Sequence, residues 1–123
     1  MKTPRIIKSF GHAFRGMLKA IREEGNIRIQ IFVGLVVIIL GIRFHITKLE
    51  WLALAFAISS VILMELINTV IERVTDVLKP RIDTYVKEIK DLAAAAVLFA
   101  ALVAIAIGLA VLGPYLWNYF FVL

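Results

Sequence analysis

The chain has 123 residues, of which 62% are apolar and 19% charged, and its mean hydropathy is +0.94; an average soluble domain has roughly 45–50% and ~25%. This composition excludes a disordered chain and argues against a soluble globule, and the lack of any Cys excludes disulfides, Cys-ligated zinc and a thiol nucleophile. The net charge of +5 in so apolar a chain points to anionic headgroups or anionic substrates rather than nucleic acid.

The first predicted element covers about residues 4–24. Placed at 100° per residue, Ile6, Ile7, Phe10, Phe14, Met17, Leu18 and Ile21 share an arc of about 120°. Arg5, Lys8, His12, Arg15, Lys19 and Arg22 take the opposite side. A basic amphipathic helix of this kind lies in the membrane surface. Its apolar residues are periodic rather than continuous and no small-residue cleavage site follows, so it does not read as a signal peptide.

Three transmembrane helices follow, at about 27–43, 50–78 and 88–113. The first is rich in Ile, Val and Leu, with Gly34 and Gly41 inside it. The second is apolar from Trp51 to Met64 and then admits Glu65 and Asn68. The third opens a run of 32 uncharged residues, Leu92 to Leu123, well beyond the ~20 that cross a bilayer. Gly113-Pro114 punctuates that run and predicts a helix end near Leu112, with Tyr115, Trp117 and Tyr119 at the interface. Ala93, Ala96, Ala100 and Ala104 form a small-residue seam suited to close helix approach. So short a chain encloses little by itself, so self-association is expected.

Orientation follows from the basic residues. Residues 1–28 carry seven Lys or Arg and residues 73–90 carry five, against two in residues 43–50. By the positive-inside rule the N-terminus and the 73–90 connection are cytoplasmic, and the 43–50 turn and C-terminus lie outside.

Chemistry concentrates in residues 65–76. With Glu65 at 0°, Asn68, Thr69, Glu72 and Asp76 fall at about 300°, 40°, 340° and 20°, one polar stripe roughly 100° wide. At 1.5 Å per residue from Trp51, Glu65 lies roughly 21 Å into a ~30 Å core, and Glu72 is near the inner boundary. Glu72, Arg73 and Asp76 alone would read as a solvated helix end, but Glu65 and Asn68 lie too deep for that. Carboxylates near the cytosolic interface suit Mg²⁺ with water and phosphate oxygens. A deeper carboxylate is placed to act as a base toward a lipid hydroxyl. Glu23-Glu24 and Lys90-Asp91 bring further acids, and a phosphate-binding Lys, to the same level. Gly11 and Gly16 have P-loop spacing, but Met17-Leu18 replace the required Lys-Ser/Thr. By position, His12 reads as solvated or facing headgroups.

These residues resemble the small prokaryotic diacylglycerol kinases, a family that includes undecaprenol kinases. Glu65, Asn68, Thr69, Ile71, Glu72 and Asp76 match its pattern E-[LI]-[LI]-N-[ST]-[AV]-I-E-x-[VA]-x-D, and Lys90, Asp91, Ala93, Ala94, Ala96, Val97 and Leu98 match K-D-x-A-A-x-A-V-L. Segments 9–16 and 24–30 resemble its surface helix and first-span entry. The resemblance implies an all-α integral membrane protein, a homotrimeric bundle with a surface helix and three spans per subunit and composite sites between subunits. It implies transfer of the ATP γ-phosphate to a membrane lipid alcohol, diacylglycerol or undecaprenol, in the bacterial cytoplasmic membrane. Glu65 is then the expected base, Glu24 and Glu72 the Mg²⁺ ligands, and His12, Glu24, Asn68, Glu72, Asp76, Lys90 and Asp91 the ATP-binding set. His12 stands where relatives commonly carry Tyr, Gln30 where many have His, and the 80–87 connection lacks a His often found there. From another class, a proton-coupled exporter using Glu65 needs that carboxylate near the midplane with access from both sides, which the crowding of acids toward one face disfavours.

Overall fold

The computed structural model describes residues 4–78 and 84–122. Among them are four α-helices and no strand: α1 (Arg5–Glu23), α2 (Gly25–Arg43), α3 (Lys48–Leu78) and α4 (Thr84–Phe121). The basic residues Lys79 and Arg81, and the first part of the 80–87 connection, lie outside the described residues. Helices α2, α3 and α4 are long and apolar enough to cross a bilayer. At 1.5 Å per residue α2 spans about 28 Å, close to the ~30 Å hydrocarbon core, whereas α3 and α4 reach about 46 and 57 Å and must project beyond it.

Helices α1 and α2 meet at a one-residue elbow. Glu24 is extended (φ −107°, ψ 110°), and its N–H still donates to the Ala20 carbonyl at 2.8 Å. Arg28, one turn into α2, donates from one guanidinium nitrogen to the carbonyls of Ile21 (2.9 Å) and Arg22 (2.8 Å). These are carbonyls that the end of α1 leaves without an intrahelical partner. A basic side chain at a helix C-terminus is also favoured by the dipole.

The turn from α2 to α3 is closed by two local devices. His45 adopts the left-handed conformation (φ 51°), and the Ile46 N–H reaches back to the Gly41 carbonyl at 3.3 Å, the outer bond of a Schellman ending. Thr47 and Glu50 then form a capping box: the Glu50 N–H donates to Thr47 Oγ1 (3.2 Å) and the Thr47 N–H to Glu50 Oε1 (3.0 Å).

Small residues set how α2 lies on α3. A Cβ on Gly34 would stand 3.1 Å from Ile58 Cγ2, and one on Gly41 would stand 2.6 Å from the Trp51 ring. The glycines therefore let the backbone of α2 approach where any side chain would hold it off. Gln30, Gly34 and Gly41 recur at helical spacing along that face, opposite Glu65, Ile58 and Trp51.

Helices α3 and α4 pair most extensively, and antiparallel. Asp76 meets Lys90 at one end, and Glu50 meets Tyr115 at the other. The two links are about 25 residues apart on each helix, roughly 38 Å, so they bracket a hydrocarbon core. The small-residue seam lies on the covered side of α4: Ala93 is buried, and Ala96, Ala100 and Ala104 are half-buried.

One sequence expectation is corrected. The helix does not end near Leu112; α4 continues through Pro114 to Phe121. Pro114 removes one N–H from the ladder, but the helix resumes because its last turns are held from outside. Tyr115 donates to Glu50 and stacks on Phe44 (centroids 5.8 Å apart), Tyr119 packs edge-on to Phe44 (6.0 Å), and Arg43 lies 5.8 Å from the Tyr119 ring. Proline is tolerated in membrane helices when neighbours supply such support. The apolar core, Ile46, Leu54, Val111 and Leu112, sits at this aromatic end. Large apolar side chains elsewhere on the spans, such as Phe32, Ile39, Phe56 and Phe99, are exposed on the single chain.

Candidate functional site

At the opposite, acidic end polar side chains are buried beside apolar ones such as Ile27 and Ala93. Glu65, Asn68, Thr69 and Thr75 of α3 are all buried, Glu65 to 3% exposure, and Glu72 is half-buried. The two threonines satisfy themselves locally: Thr69 Oγ1 donates to the Glu65 carbonyl (3.0 Å) and Thr75 Oγ1 to those of Ile71 and Glu72 (2.9 Å each). Backbone bonding of this kind is what hydroxyls inside helices do and implies no ligand.

The amides behave differently. Asn68 Nδ2 donates to Glu72 Oε1 (3.3 Å), and Gln30 Nε2 of α2 donates to Glu65 Oε2 (3.4 Å). Each leaves its carbonyl oxygen, Asn68 Oδ1 and Gln30 Oε1, buried without a hydrogen-bond partner. A buried acceptor left unpaired costs about 1–3 kcal/mol, so two beside a buried carboxylate mark a site awaiting donors or a cation.

Two cations tie neighbouring elements to the stripe. Lys90 of α4 pairs with Asp76, and Arg73 of α3 pairs with Glu23 and, at 3.9 Å, Glu24 of the elbow. The hydrogen bond from Arg73 holds the Glu23 carboxyl below the usual carboxylate range. The structure thus brings Glu65, Asn68, Glu72, Asp76 and Lys90 to one end of the bundle and brings Glu24 to Arg73. His12 is not joined to them by any hydrogen bond or ion pair among the described residues. It pairs with Arg15 (2.7 Å) on exposed α1. Asp91 is exposed on α4.

The sequence counts Glu23 among the flanking acids but assigns it no partner, and it gives Gln30 and Arg73 no role in the site. Gln30 carried a signal, being a polar residue inside an apolar run. It lies about 9 Å along α2 from the elbow, much as Glu65 lies about 10 Å along α3 from Glu72. Arg73 and Glu23 resemble ordinary interfacial charges until the fold brings them together.

Among the described residues no three His, Asp or Glu side chains are grouped closely enough to hold a metal. The donors present are nonetheless all hard oxygens: carboxylates of Glu72 and Glu24 and the unpaired Asn68 Oδ1. That set fits Mg²⁺, which usually takes one or two carboxylates and completes its shell with water and phosphate oxygens. An apolar groove of about 400 Å³ between α2, α3 and α4 begins at Gln30 and is walled by Gly34, Ala57, Ala104, Gly108 and Leu112.

Fold and site together define a class: a small helical protein with three bilayer-length helices and a carboxylate–amide cluster near one end of the bundle. Residues 11–112 match the family described as prokaryotic diacylglycerol kinase. The chain is 33% identical over 110 residues to the undecaprenol kinase of Bacillus subtilis (strain 168), covering 89% of each chain. It is 34% identical over 112 residues to a diacylglycerol kinase of Synechocystis sp. (strain ATCC 27184 / PCC 6803 / Kazusa), covering 90% of this chain and 64% of that one. The chain belongs to the prokaryotic diacylglycerol kinase family.

Proposed function

We propose that this protein is a lipid kinase that transfers the γ-phosphate of ATP to the hydroxyl of a membrane lipid alcohol, diacylglycerol or undecaprenol. The observation that carries the reading is Glu65: a carboxylate 3% exposed, inside a bilayer-length helix and one to two turns from oxygen donors suited to a metal–phosphate. A charge at membrane depth costs at least ~2.5 kcal/mol on insertion scales and is retained for a function.

In this mechanism Glu65 accepts the proton of the lipid hydroxyl as that oxygen attacks the γ-phosphorus. The new O–P bond forms, the bond to the β-phosphate oxygen breaks, and ADP leaves. Glu72 and Glu24 would hold Mg²⁺, which supplies charge neutralisation on the phosphate oxygens when bound. Lys90 offsets charge on the transferring group, while Asn68, Asp76 and Asp91 order the nucleotide end, with His12 at its margin. Burial of Glu65 keeps water from competing with the alcohol. The groove that begins at Gln30 offers the lipid's hydrocarbon chain a path to the base.

The remaining assignments rest on charge and on exposed surface. The asymmetry of Lys and Arg supports an orientation with the acidic end, the N-terminus and α1 on the cytosolic side and the C-terminus outside, in what we take to be a bacterial cytoplasmic membrane. The lack of a complete metal-holding group among the described residues of one chain, and the breadth of uncovered apolar helix, support a homotrimer with shared sites.

The test is phosphate transfer from γ-labelled ATP in mixed micelles containing diacylglycerol or undecaprenol. The wild type should label one lipid, and Glu65→Gln should lose at least about 10³-fold while remaining folded. A folded wild type that labels neither lipid, or a fully active Glu65→Gln, would overturn the reading.

A further inference from the structure

We infer that Gln30 is a positioning residue for Glu65, fixing which carboxylate oxygen faces the acceptor hydroxyl; this rests on the reading of Glu65 as the base. A Glu side chain has three rotatable bonds, and inside an apolar segment nothing but another side chain can orient its carboxylate. Thr69, one turn away, spends its hydroxyl on the Glu65 backbone carbonyl, and Asn68 turns its N–H to Glu72. Gln30 alone among these reaches the carboxylate, its Nε2 lying 3.4 Å from Oε2. Toward an ionised carboxylate only the N–H side of an amide is attractive, so the Gln30 carbonyl must turn away. It ends buried with no hydrogen-bond partner, a cost that an apolar residue at position 30 would avoid. With Oε2 occupied, Oε1 is the oxygen left for the incoming proton. A 3.4 Å separation is long for such a bond, and catalytic hydrogen bonds often tighten only when substrate seats.

The backbone supports this placement. Gly34, one turn beyond Gln30, lets α2 close onto Ile58, and Ile58 stands two turns from Glu65 on the same face of α3. The glycine contact therefore sets the register that delivers Gln30 to the base. Gln30 also lines the start of the apolar groove, so the residue that aims the carboxylate stands where a lipid would arrive.

The experiment uses the full chain in mixed micelles with ATP and, separately, undecaprenol and diacylglycerol. Gln30→Leu removes the donor at similar volume, and Gln30→His restores a ring N–H. Gln30→Leu should lower kcat about 10- to 100-fold, the usual size of a lost positioning contact, with the KM for ATP within about twofold. Gln30→His should recover about a third or more of the wild-type kcat. A purely structural role would instead reduce thermal stability and would not distinguish the two variants by kcat. A Gln30→Leu enzyme with wild-type kcat, a loss confined to the KM for ATP, or a His variant no better than Leu would each overturn the inference. If Gln30→Leu does not fold, Gln30→Met is judged by the same criteria. An active Glu65→Gln would overturn the base reading beneath it, whereas an inactive Glu65→Gln beside an unimpaired Gln30→Leu would overturn the role of Gln30 alone.

Discussion

The two ends of the bundle treat their acids in opposite ways. At the aromatic end the Glu50 carboxylate accepts the Thr47 N–H at 3.0 Å and the Tyr115 hydroxyl at 2.7 Å, closing a capping box and a link to α4 at once. At the acidic end Glu65 receives one long bond from Gln30, Glu72 one from Asn68, and both amides are left with a buried, unpaired oxygen. A carboxylate whose partners all belong to its own fold is a structural part. One whose surroundings stay incomplete is arranged for something that arrives. The contrast separates Glu50 from Glu65 without reference to any relative, although both sit on the same helix.

Four substitutions or titrations can break or sharpen that contrast. Glu72→Gln carries the largest expected effect. Transfer at low Mg²⁺ should fall about 100-fold and recover in part as Mg²⁺ is raised, with little change in thermal unfolding. An unchanged Mg²⁺ dependence would remove Glu72 from the metal set. At the other end, Gly41→Ala should cost about 1–3 kcal/mol, because its Cβ would stand 2.6 Å from the Trp51 ring and force that ring to shift. Activity per folded molecule should hold, and a loss of transfer without a loss of stability would contradict the division between the ends. Tyr115→Phe should lower the denaturant midpoint only slightly, less than Gly41→Ala does, since Glu50 keeps its Thr47 partner.

The smallest effect concerns Glu23. Its folded carboxyl is held low by Arg73, so whatever the pair adds to stability is fully present above the ordinary carboxylate value of 4.5. That contribution is lost only as pH falls through the lower folded value. Carbon-detected NMR titration should show Glu23 protonating below that ordinary value and returning toward it in Arg73→Ala. A Glu23 that titrates identically in both proteins would exclude the link.

Much of this was legible in the sequence, for physical reasons that also mark its limits. Continuous apolar runs identify the three bilayer-length helices because nothing else long and apolar survives in water, and the 3.6-residue period places Glu65, Asn68 and Glu72 on one face regardless of what packs there. Pro114 misled because local chemistry predicts a stop, whereas Phe44 and Glu50, some 65 to 70 residues earlier in the chain, hold the next turns in place. Gln30 was hidden for a similar reason. Its meeting with Glu65 depends on the register of α2 against α3, which is set by the left-handed His45 turn and by two glycine contacts rather than by any motif. His12 shows the converse: its place on the polar side of a helix was readable, and in the structure it faces Arg15 on that same helix.

The paired links at the two ends of α3 and α4 also act as a caliper. Sliding α4 along α3 by one turn, about 5.4 Å, would part Lys90 from Asp76 and Tyr115 from Glu50 in the same movement. The α3–α4 pair therefore meets a thicker or thinner bilayer by leaning as a unit, and the depth of Glu65 below the acidic surface is set by the length of the strut rather than by the lipid around it.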